Sequence, residues 1–161
     1  MIKQPVKISI YSRVVSVTAL LVIMGIYLYM LDKGASWQIY ILYALVLVLG
    51  GSALIYMPVS ISVDRKELRV NRMLCAKKIP LSEIVSIERM QPTMGERRIF
   101  ASGGWMGYWG RFYERDLGKY FGYYGKASDC FFVRLKDGRG YMLGCKNPDS
   151  IVSYVKETAG L

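Results

Sequence analysis

Two long apolar segments near the N-terminus dominate the pattern of hydrophobic and polar positions. Residues 14–31 and 39–57 contain no charged side chain, and a short polar turn, residues 32–38, separates them. An α-helix needs about 17–25 residues to cross the hydrocarbon core of a bilayer, and both segments reach that length. The pattern therefore predicts a hairpin of two transmembrane helices.

Two alternatives fit these segments less well. Buried helices of a soluble core are expected to carry a polar stripe, and neither segment has one. A cleaved signal peptide would account for the basic residues Lys3, Lys7 and Arg13 before the first segment and for the small residues after it. However, the apolar part of a signal peptide is usually about 7–15 residues long, which is shorter than residues 14–31.

The charges that flank the hairpin predict its orientation. Lys and Arg close to a span favour the cytoplasmic side of a membrane. Three basic residues precede the first segment and four follow the second closely, whereas the turn carries only Lys33, next to Asp32. Both chain termini are therefore expected in the cytoplasm.

A patch of small residues lies in the second segment, where it would let another helix approach closely. Because the turn is short, the two spans are expected to be antiparallel neighbours. The patch could pack against the first span or a second copy of the protein, or it could be a loosely packed helix end. Its residues are Gly50, Gly51, Ser52 and Ala53.

After residue 57 the hydrophobic period changes to two, which is typical of β-strands. Apolar residues alternate with serines over residues 59–63, and the polar residues 64–67 predict a turn into a second strand. Residues 131–136 also alternate, and Asp137-Gly138 after them is a strong signal for a two-residue hairpin turn. The pattern predicts a run of short strands.

The C-terminus is expected to be helical, because Asn147 suits the N-cap and Pro148 the first helical position. Gly160 can terminate this helix. The sequence therefore predicts two parts: an N-terminal segment with the transmembrane hairpin, residues 1–57, and a β-domain closed by one helix, residues 58–161.

Composition argues against several kinds of chemistry. The chain has no histidine, and its three cysteines form no Cys-X-X-Cys pair. A zinc site, a Ser-His-Asp triad and a Cys-His pair are therefore not expected. The carboxylates show no spacing of a catalytic pair, and no GxxxxGK phosphate loop is present. We expect no enzyme activity, no metal and no cofactor.

The formal charge of +10 bears on whether the chain is expected to bind membrane lipid or nucleic acid. A basic domain suits the anionic cytoplasmic leaflet of a membrane, so membrane lipid is an expected partner. Ordinary positive-inside topology would explain the same charge. Nucleic-acid binding is not expected, because the chain has a membrane anchor and no recognition motif.

The segment of residues 103–125 is the best place to look for function, because it interleaves seven glycines with nine aromatic residues. Large aromatics such as Phe112, Tyr120 and Phe121 are expected in the core. The aromatics nearest to the glycines predict an exposed loop, with arginines beside it, that suits a lipid interface or a partner protein. These candidate site residues are Trp105, Tyr108, Trp109, Arg97, Arg98 and Arg111.

Several motifs carry a resemblance to a known family. They are Gly103-Gly104-Trp105-Met106-Gly107-Tyr108-Trp109-Gly110-Arg111-Phe112, Leu117-Gly118-Lys119-Tyr120, Lys136-Asp137-Gly138-Arg139 and Asn147-Pro148-Asp149. From about residue 58 onward the chain resembles the bacterial pleckstrin-homology-like (PH-like) domain family. The resemblance implies a mainly β, bent and nearly closed barrel with a C-terminal capping helix, and it implies little about activity. With the flanking charges, it predicts location in a bacterial cytoplasmic (inner) membrane.

Two functions from different classes follow. The first is a membrane-anchored binding or scaffold module that engages a protein partner, or another copy of itself, at the cytoplasmic face of the inner membrane. The second is a reader of anionic lipid head groups, which would use the basic residues and the interfacial aromatics.

Overall fold

The structure, a computed structural model, describes residues 2–34 and 36–160. Three α-helices, ten β-strands and two short 3-10 turns, Leu81–Glu83 and Ala127–Asp129, follow one another in this part of the chain. In chain order the helices and strands are β1 (Ile2–Pro5), α1 (Ile10–Asp32), α2 (Ser36–Tyr56), β2 (Pro58–Val63), β3 (Glu67–Arg72), β4 (Ala76–Pro80), β5 (Ile84–Arg89), β6 (Arg97–Ala101), β7 (Tyr108–Glu114), β8 (Gly118–Tyr124), β9 (Cys130–Leu135), β10 (Gly140–Gly144) and α3 (Pro148–Ala159).

Helices α1 and α2 form an apolar hairpin, as the sequence predicts. Each is long and apolar enough to cross a membrane, with a mean hydropathy of 2.3 and 2.2 over the best window. Only 6% and 11% of those windows are buried inside the molecule. The core helix of a soluble protein would be mostly buried, so this exposure argues against that alternative.

Strand β1 is an element that the sequence analysis did not predict. It pairs antiparallel with β2, from Ile2 opposite Val63 to Pro5 opposite Ser60. The carbonyl of Pro5 also accepts a hydrogen bond from the N–H of Lys146, at 2.8 Å. Residues 2–5, which the sequence analysis placed in the N-terminal segment before the hairpin, are thus paired with a strand of the β-domain. Because β1 enters α1 and β2 leaves α2, one sheet holds both ends of the helical hairpin.

The strands form two separate hydrogen-bonded sheets rather than a closed barrel. One has the order β1-β2-β3-β4 and the other β5-β9-β10-β8-β7-β6, with β8 and β10 parallel. Ile61 and Val70 of the first sheet pack with Phe131 and Leu143 of the second, and Ile151 of α3 closes this main core. The PH-like arrangement with a capping helix is therefore present, and the expected barrel closure is not, because β4 leads through a 3-10 turn into β5 without pairing.

The six-stranded sheet carries a second, aromatic cluster on its other face. Glycines lie under the rings: a Cβ added at Gly122 would stand 2.7 Å from the Phe112 ring, and one added at Gly144 would stand 2.6 Å from Cβ of Tyr124. The glycine and aromatic pattern of residues 103–125 is thus in large part a packing pattern, since rings lie flat only where the strand beneath has no side chain. The cluster comprises Phe112, Tyr120, Tyr124, Cys130, Phe132 and Met142.

Candidate functional site

Residues 102–107, which we call the docking loop, connect β6 to β7 and rest on both long helices. The N–H of Met106 donates to Oγ of Ser16 in α1 at 2.9 Å, and the indole N–H of Trp105 donates to the carbonyl of Leu49 in α2 at 3.2 Å. Ser12 and Ser16 are consequently buried although they lie on an otherwise exposed helix. The loop fastens the β-domain to the side of the hairpin.

The local sequence explains why the docking loop can take this shape. Gly104 and Gly107 have φ angles of 129° and 105°, a region that favours glycine, and Gly104 lies against the ring of Tyr11. Within the loop, Oγ of Ser102 is 2.9 Å from the carbonyl oxygen of Trp105 and 3.0 Å from that of Gly107. Glycine conformation and one serine hydroxyl therefore fold the loop back on itself.

The three candidate aromatics pack inside the molecule instead of forming the exposed loop expected from the sequence. The indole N–H of Trp109 donates to the carbonyl of Trp105 at 3.1 Å, and its ring stacks on Tyr56 at the end of α2 with centroids 5.3 Å apart. Tyr108 stacks on Tyr124 at 5.0 Å. All three are half-buried, and the role of Trp105, Tyr108 and Trp109 in binding remains a prediction.

The three candidate arginines do not join these aromatics in a single site. The guanidinium of Arg98 packs against Gly103 beside the docking loop. Arg97 and Arg111 are exposed further along β6 and β7, where Arg97 is opposite Tyr113. Arg98 thus contacts the docking loop, whereas Arg111 belongs to a different surface.

That surface is an open cavity of about 430 Å³, which we call the cationic groove. Arg139 is paired with Asp137 at 2.5 Å, whereas among the described residues Arg111 and Lys119 have no carboxylate partner within 4 Å. The sequence analysis singled out only Arg111, because Lys119 and Arg139 become neighbours through the parallel pairing of β8 with β10. The lining residues are Ile99, Arg111, Lys119, Tyr120, Phe121, Arg139, Gly140 and Tyr141.

One wall of the groove reaches the end of α2, because the lining residue Phe121 stacks on Tyr56 with ring centroids 6.3 Å apart. Strand β8 ends beside the start of α1, because Gly125 accepts a hydrogen bond from the N–H of Ser9 at 2.8 Å. Lys119 stands five positions before Tyr124, or about 17 Å at the rise of a strand. The groove therefore extends from the end of α2 toward Lys119 at the far end of β8.

The half-buried carboxylate of Glu96 ties down the segment that crosses the aromatic cluster. The hydroxyl of Tyr120 donates to Glu96 at 2.6 Å, and the hydroxyl of Tyr124 lies 3.0 Å from both Glu96 oxygens. Burial raises the pKa of Glu96, and the two tyrosine hydrogen bonds partly offset that effect. The pKa values of both tyrosines are raised by burial and then by Glu96. The contacts fix residues 90–96 across the face of the sheet.

The small-residue patch borders the docking loop. Leu49, which precedes the patch, accepts hydrogen bonds from Trp105 and from the hydroxyl of Ser52, and Ala53 is buried. By contrast, a Cβ added at Gly50 or Gly51 would meet nothing within 4 Å. The second helix therefore does not use these glycines for close contact within the described chain, and packing against a second copy remains a prediction.

The cysteines and acidic residues form no evident metal centre. Within residues 2–34 and 36–160, no group of three His, Cys, Asp or Glu side chains could hold a metal ion. Cys75 is exposed, whereas Cys130 and Cys145 are buried. Burial raises the pKa of the Cys145 thiol to about 11 and that of Cys130 further, so both are protonated at neutral pH.

Comparison with known proteins assigns the family. A family model described as Bacterial PH domain matches residues 59–159, well over half of the chain. The chain belongs to the bacterial PH domain family. The match runs from β2 into α3, and it leaves β1 and the helical hairpin of this bacterial PH protein outside. Neither the comparison with curated proteins nor that with solved structures finds a match.

Replacing Trp105 by Phe tests whether the docking loop fastens the β-domain to the helices. Trp105→Phe removes the indole donor to Leu49 and should lower the free energy of unfolding by about 1 kcal/mol. Trp37→Phe is the control, because Trp37 is 66% exposed at the far end of α2, and its effect should stay within about 0.5 kcal/mol. Denaturant unfolding in detergent micelles, followed by circular dichroism, measures both. Equal losses would contradict the docking role.

Replacing Glu96 by Gln tests how ionisation of this half-buried carboxylate affects the stability of the protein. Because the folded pKa of Glu96 is raised above 4.5, the folded state binds a proton more tightly than the unfolded chain, and stability falls as the pH rises through that interval. Glu96→Gln keeps an acceptor oxygen and cannot ionise. The free energy of unfolding of the variant, minus that of the wild type, should therefore increase from about pH 4 upward and level off above the raised pKa.

The control for this measurement is Glu88→Gln, because Glu88 is exposed and receives no tyrosine hydrogen bond in the part of the chain that the structure describes. Unfolding is followed at a series of pH values for both variants. A Glu96→Gln difference that stays constant or declines with rising pH would show that the tyrosine hydrogen bonds outweigh the burial of the carboxylate.

Proposed function

We propose that this bacterial PH protein is a membrane-anchored binding and scaffold module, which holds its β-domain at the cytoplasmic face of a bacterial inner membrane for a protein partner. Two features support a fixed anchor. Pairing of β1 with β2 requires both ends of the hairpin to lie on the same side of the membrane. In addition, removal of α1 as a signal would leave the N–H of Met106 without its Ser16 partner.

The orientation rests on charge. Lys3, Lys7 and Arg13 lie at one end of the hairpin, and Arg65, Lys66, Arg69 and Arg72 follow its other end, whereas the intervening turn has a single Lys beside an Asp. Such a distribution favours the cytoplasmic side for the β-domain.

Reporter fusions test this topology. A fluorescent protein that matures only in the cytoplasm should be bright when fused after residue 161, and alkaline phosphatase should be inactive there. The same two reporters inserted in the turn at residues 33 and 34 should give the opposite result, because that turn is expected on the other side of the membrane. An active phosphatase after residue 161 would refute the cytoplasmic assignment.

The cationic groove is the observation that carries the proposed binding function. Arg111 and Lys119 supply positive charge without carboxylate partners, and the rings of Phe121 and Tyr141 provide apolar wall. This combination suits an acidic segment of a partner protein. A second copy of the chain is a poorer occupant, because each copy carries a formal charge of +10 and the approach of two copies is opposed.

Photo-crosslinking in cells tests the groove. A crosslinking amino acid at Ile99, which lines the groove and is exposed, should give a discrete protein adduct, whereas the same amino acid at the exposed Val85 of β5 should not. Arg111→Glu should reduce the adduct about tenfold by charge reversal. Arg115→Glu, in the exposed turn after β7, is the matched control and should leave it unchanged.

The outcomes separate the candidate functions. Identical adducts at Ile99 and Val85, or an adduct that Arg111→Glu does not reduce, would exclude the groove as the binding surface. Adducts with lipid alone would favour the second candidate, a reader of anionic lipid head groups. That candidate is supported by Arg98, an exposed arginine whose guanidinium packs against Gly103 of the docking loop.

A further inference from the structure

The turn between β3 and β4, which we call the β3–β4 tip and which comprises residues 73–75, has an unusual composition. Tight turns are usually built from glycine and polar residues, whereas this one reads Met73-Leu74-Cys75. The side chains of Met73 and Leu74 are 64% and 68% exposed. Nothing in the described part of the chain covers this apolar tip.

The tip lies beside the last turn of α2. Sγ of Cys75 is 3.9 Å from the carbonyl oxygen of Ile55, and α2 ends at Tyr56. The start of β2 fixes this position, because Pro58 pairs with Arg72 directly before the tip. An apolar surface is thus continuous from the exposed side of α2 onto the tip.

The docking loop reaches further along the same helices. Leu49 is seven residues before the end of α2, or about 10 Å, and Ser16 is six residues after the start of α1, or about 9 Å. If the hydrocarbon core began only beyond these contacts, residues 17–32 and 36–48 would have to span it. Those stretches are about 24 Å and 20 Å long, short of the roughly 30 Å that a bilayer core requires.

Several polar groups of the docking loop form hydrogen bonds within the protein, which suits surroundings of low polarity. Its Met106 N–H, the Trp105 indole and the carbonyls of Trp105 and Gly107 all have hydrogen-bonding partners within the protein. Irregular backbone is tolerated at membrane depth where it is buried in protein, and these contacts bury that part of the loop against the helices. Helix length and loop contacts therefore agree that the boundary of the hydrocarbon core lies between the docking loop and the helix ends, near the level of the β3–β4 tip.

We propose that the β3–β4 tip is a membrane-inserting element, whose occupant is the boundary between head groups and acyl chains of the bilayer that holds the hairpin. Arg72 and Lys77 flank the tip, and both are held over aromatic rings, Arg72 over Tyr56 and Tyr123 and Lys77 over Tyr141. Cations at this level lie where lipid phosphates are expected. The proposal rests on the membrane placement of the hairpin proposed above.

The native cysteine at the tip permits a test on the full chain. Cys75 is exposed, and the other two cysteines are buried, so a bimane label reacts with the tip without any substitution. The labelled protein is reconstituted in vesicles of phosphatidylcholine and phosphatidylglycerol that contain lipids with a nitroxide at carbon 5 or carbon 12. Two comparison proteins carry Cys75→Ser together with Ser82→Cys or Leu47→Cys.

These comparison sites bracket the proposed depth. Ser82 follows β4 at the end of the sheet away from the helices, and Leu47 is a 75% exposed residue in the middle of α2. We expect the label at Cys75 to be quenched several-fold more than at Ser82, and more by the carbon 5 than by the carbon 12 nitroxide. The label at Leu47 should be quenched strongly by both.

Three other results would each overturn a different statement. Strong quenching at Leu47 with equal, weak quenching at Cys75 and Ser82 would refute insertion of the tip and leave the transmembrane hairpin intact. Weak quenching at all three sites would refute the membrane placement itself, and with it both proposals. A Cys75 label that is protected from water-soluble quenchers and untouched by nitroxide lipids would indicate a protein occupant, which also refutes the lipid proposal.

Discussion

Pairing of β1 with β2 is the constraint on which the rest of the molecule depends. Residues 2–5 before α1 and residues 60–63 after α2 share one antiparallel ladder, so the helical hairpin is closed at its base by hydrogen bonds of the β-domain. The ends of the two helices cannot separate without breaking that ladder. The docking loop adds a second attachment further along the same helices, away from their ends at the β-domain, through Ser16 and Leu49. Attachments at two positions along the helices restrict tilting of the β-domain relative to the hairpin, which a single flexible linker would allow.

Whether a feature could be predicted from the sequence depends on how far apart in the chain its interacting residues lie. Length and absence of charge identify the hairpin, and period-two patterns and Asp137-Gly138 identify strands, because these signals are local. Strand β1 escaped detection because four residues that include a proline carry too little pattern, and their partners in β2 and at Lys146 are far away in the chain. The interaction of Trp105 with Leu49 spans 56 residues in the chain, so no local pattern encodes it.

The glycine and aromatic segment illustrates how one pattern can support two interpretations. From sequence, Trp105, Tyr108 and Trp109 among glycines suggest an exposed adhesive loop. In the structure, glycines at positions such as Gly122 make room for rings on one face of the sheet, and Gly104 lets the loop approach Tyr11. A glycine that gives flexibility and one that permits close packing are identical in sequence. Only the position of the neighbouring strand or helix distinguishes them, and that position is set by tertiary structure.

Because the β-domain is attached rigidly, each of its surfaces has a fixed position relative to the helices. The docking loop and the β3–β4 tip lie beside the hairpin, where polar backbone groups are paired and exposed side chains are apolar. The cationic groove extends from Phe121, which stacks on Tyr56 at the end of α2, to the exposed Arg111 and Lys119, which lack carboxylate partners in the described chain. Because β1 and the docking loop both hold the β-domain to the helices, the position of these two cations relative to the helix ends is fixed as well.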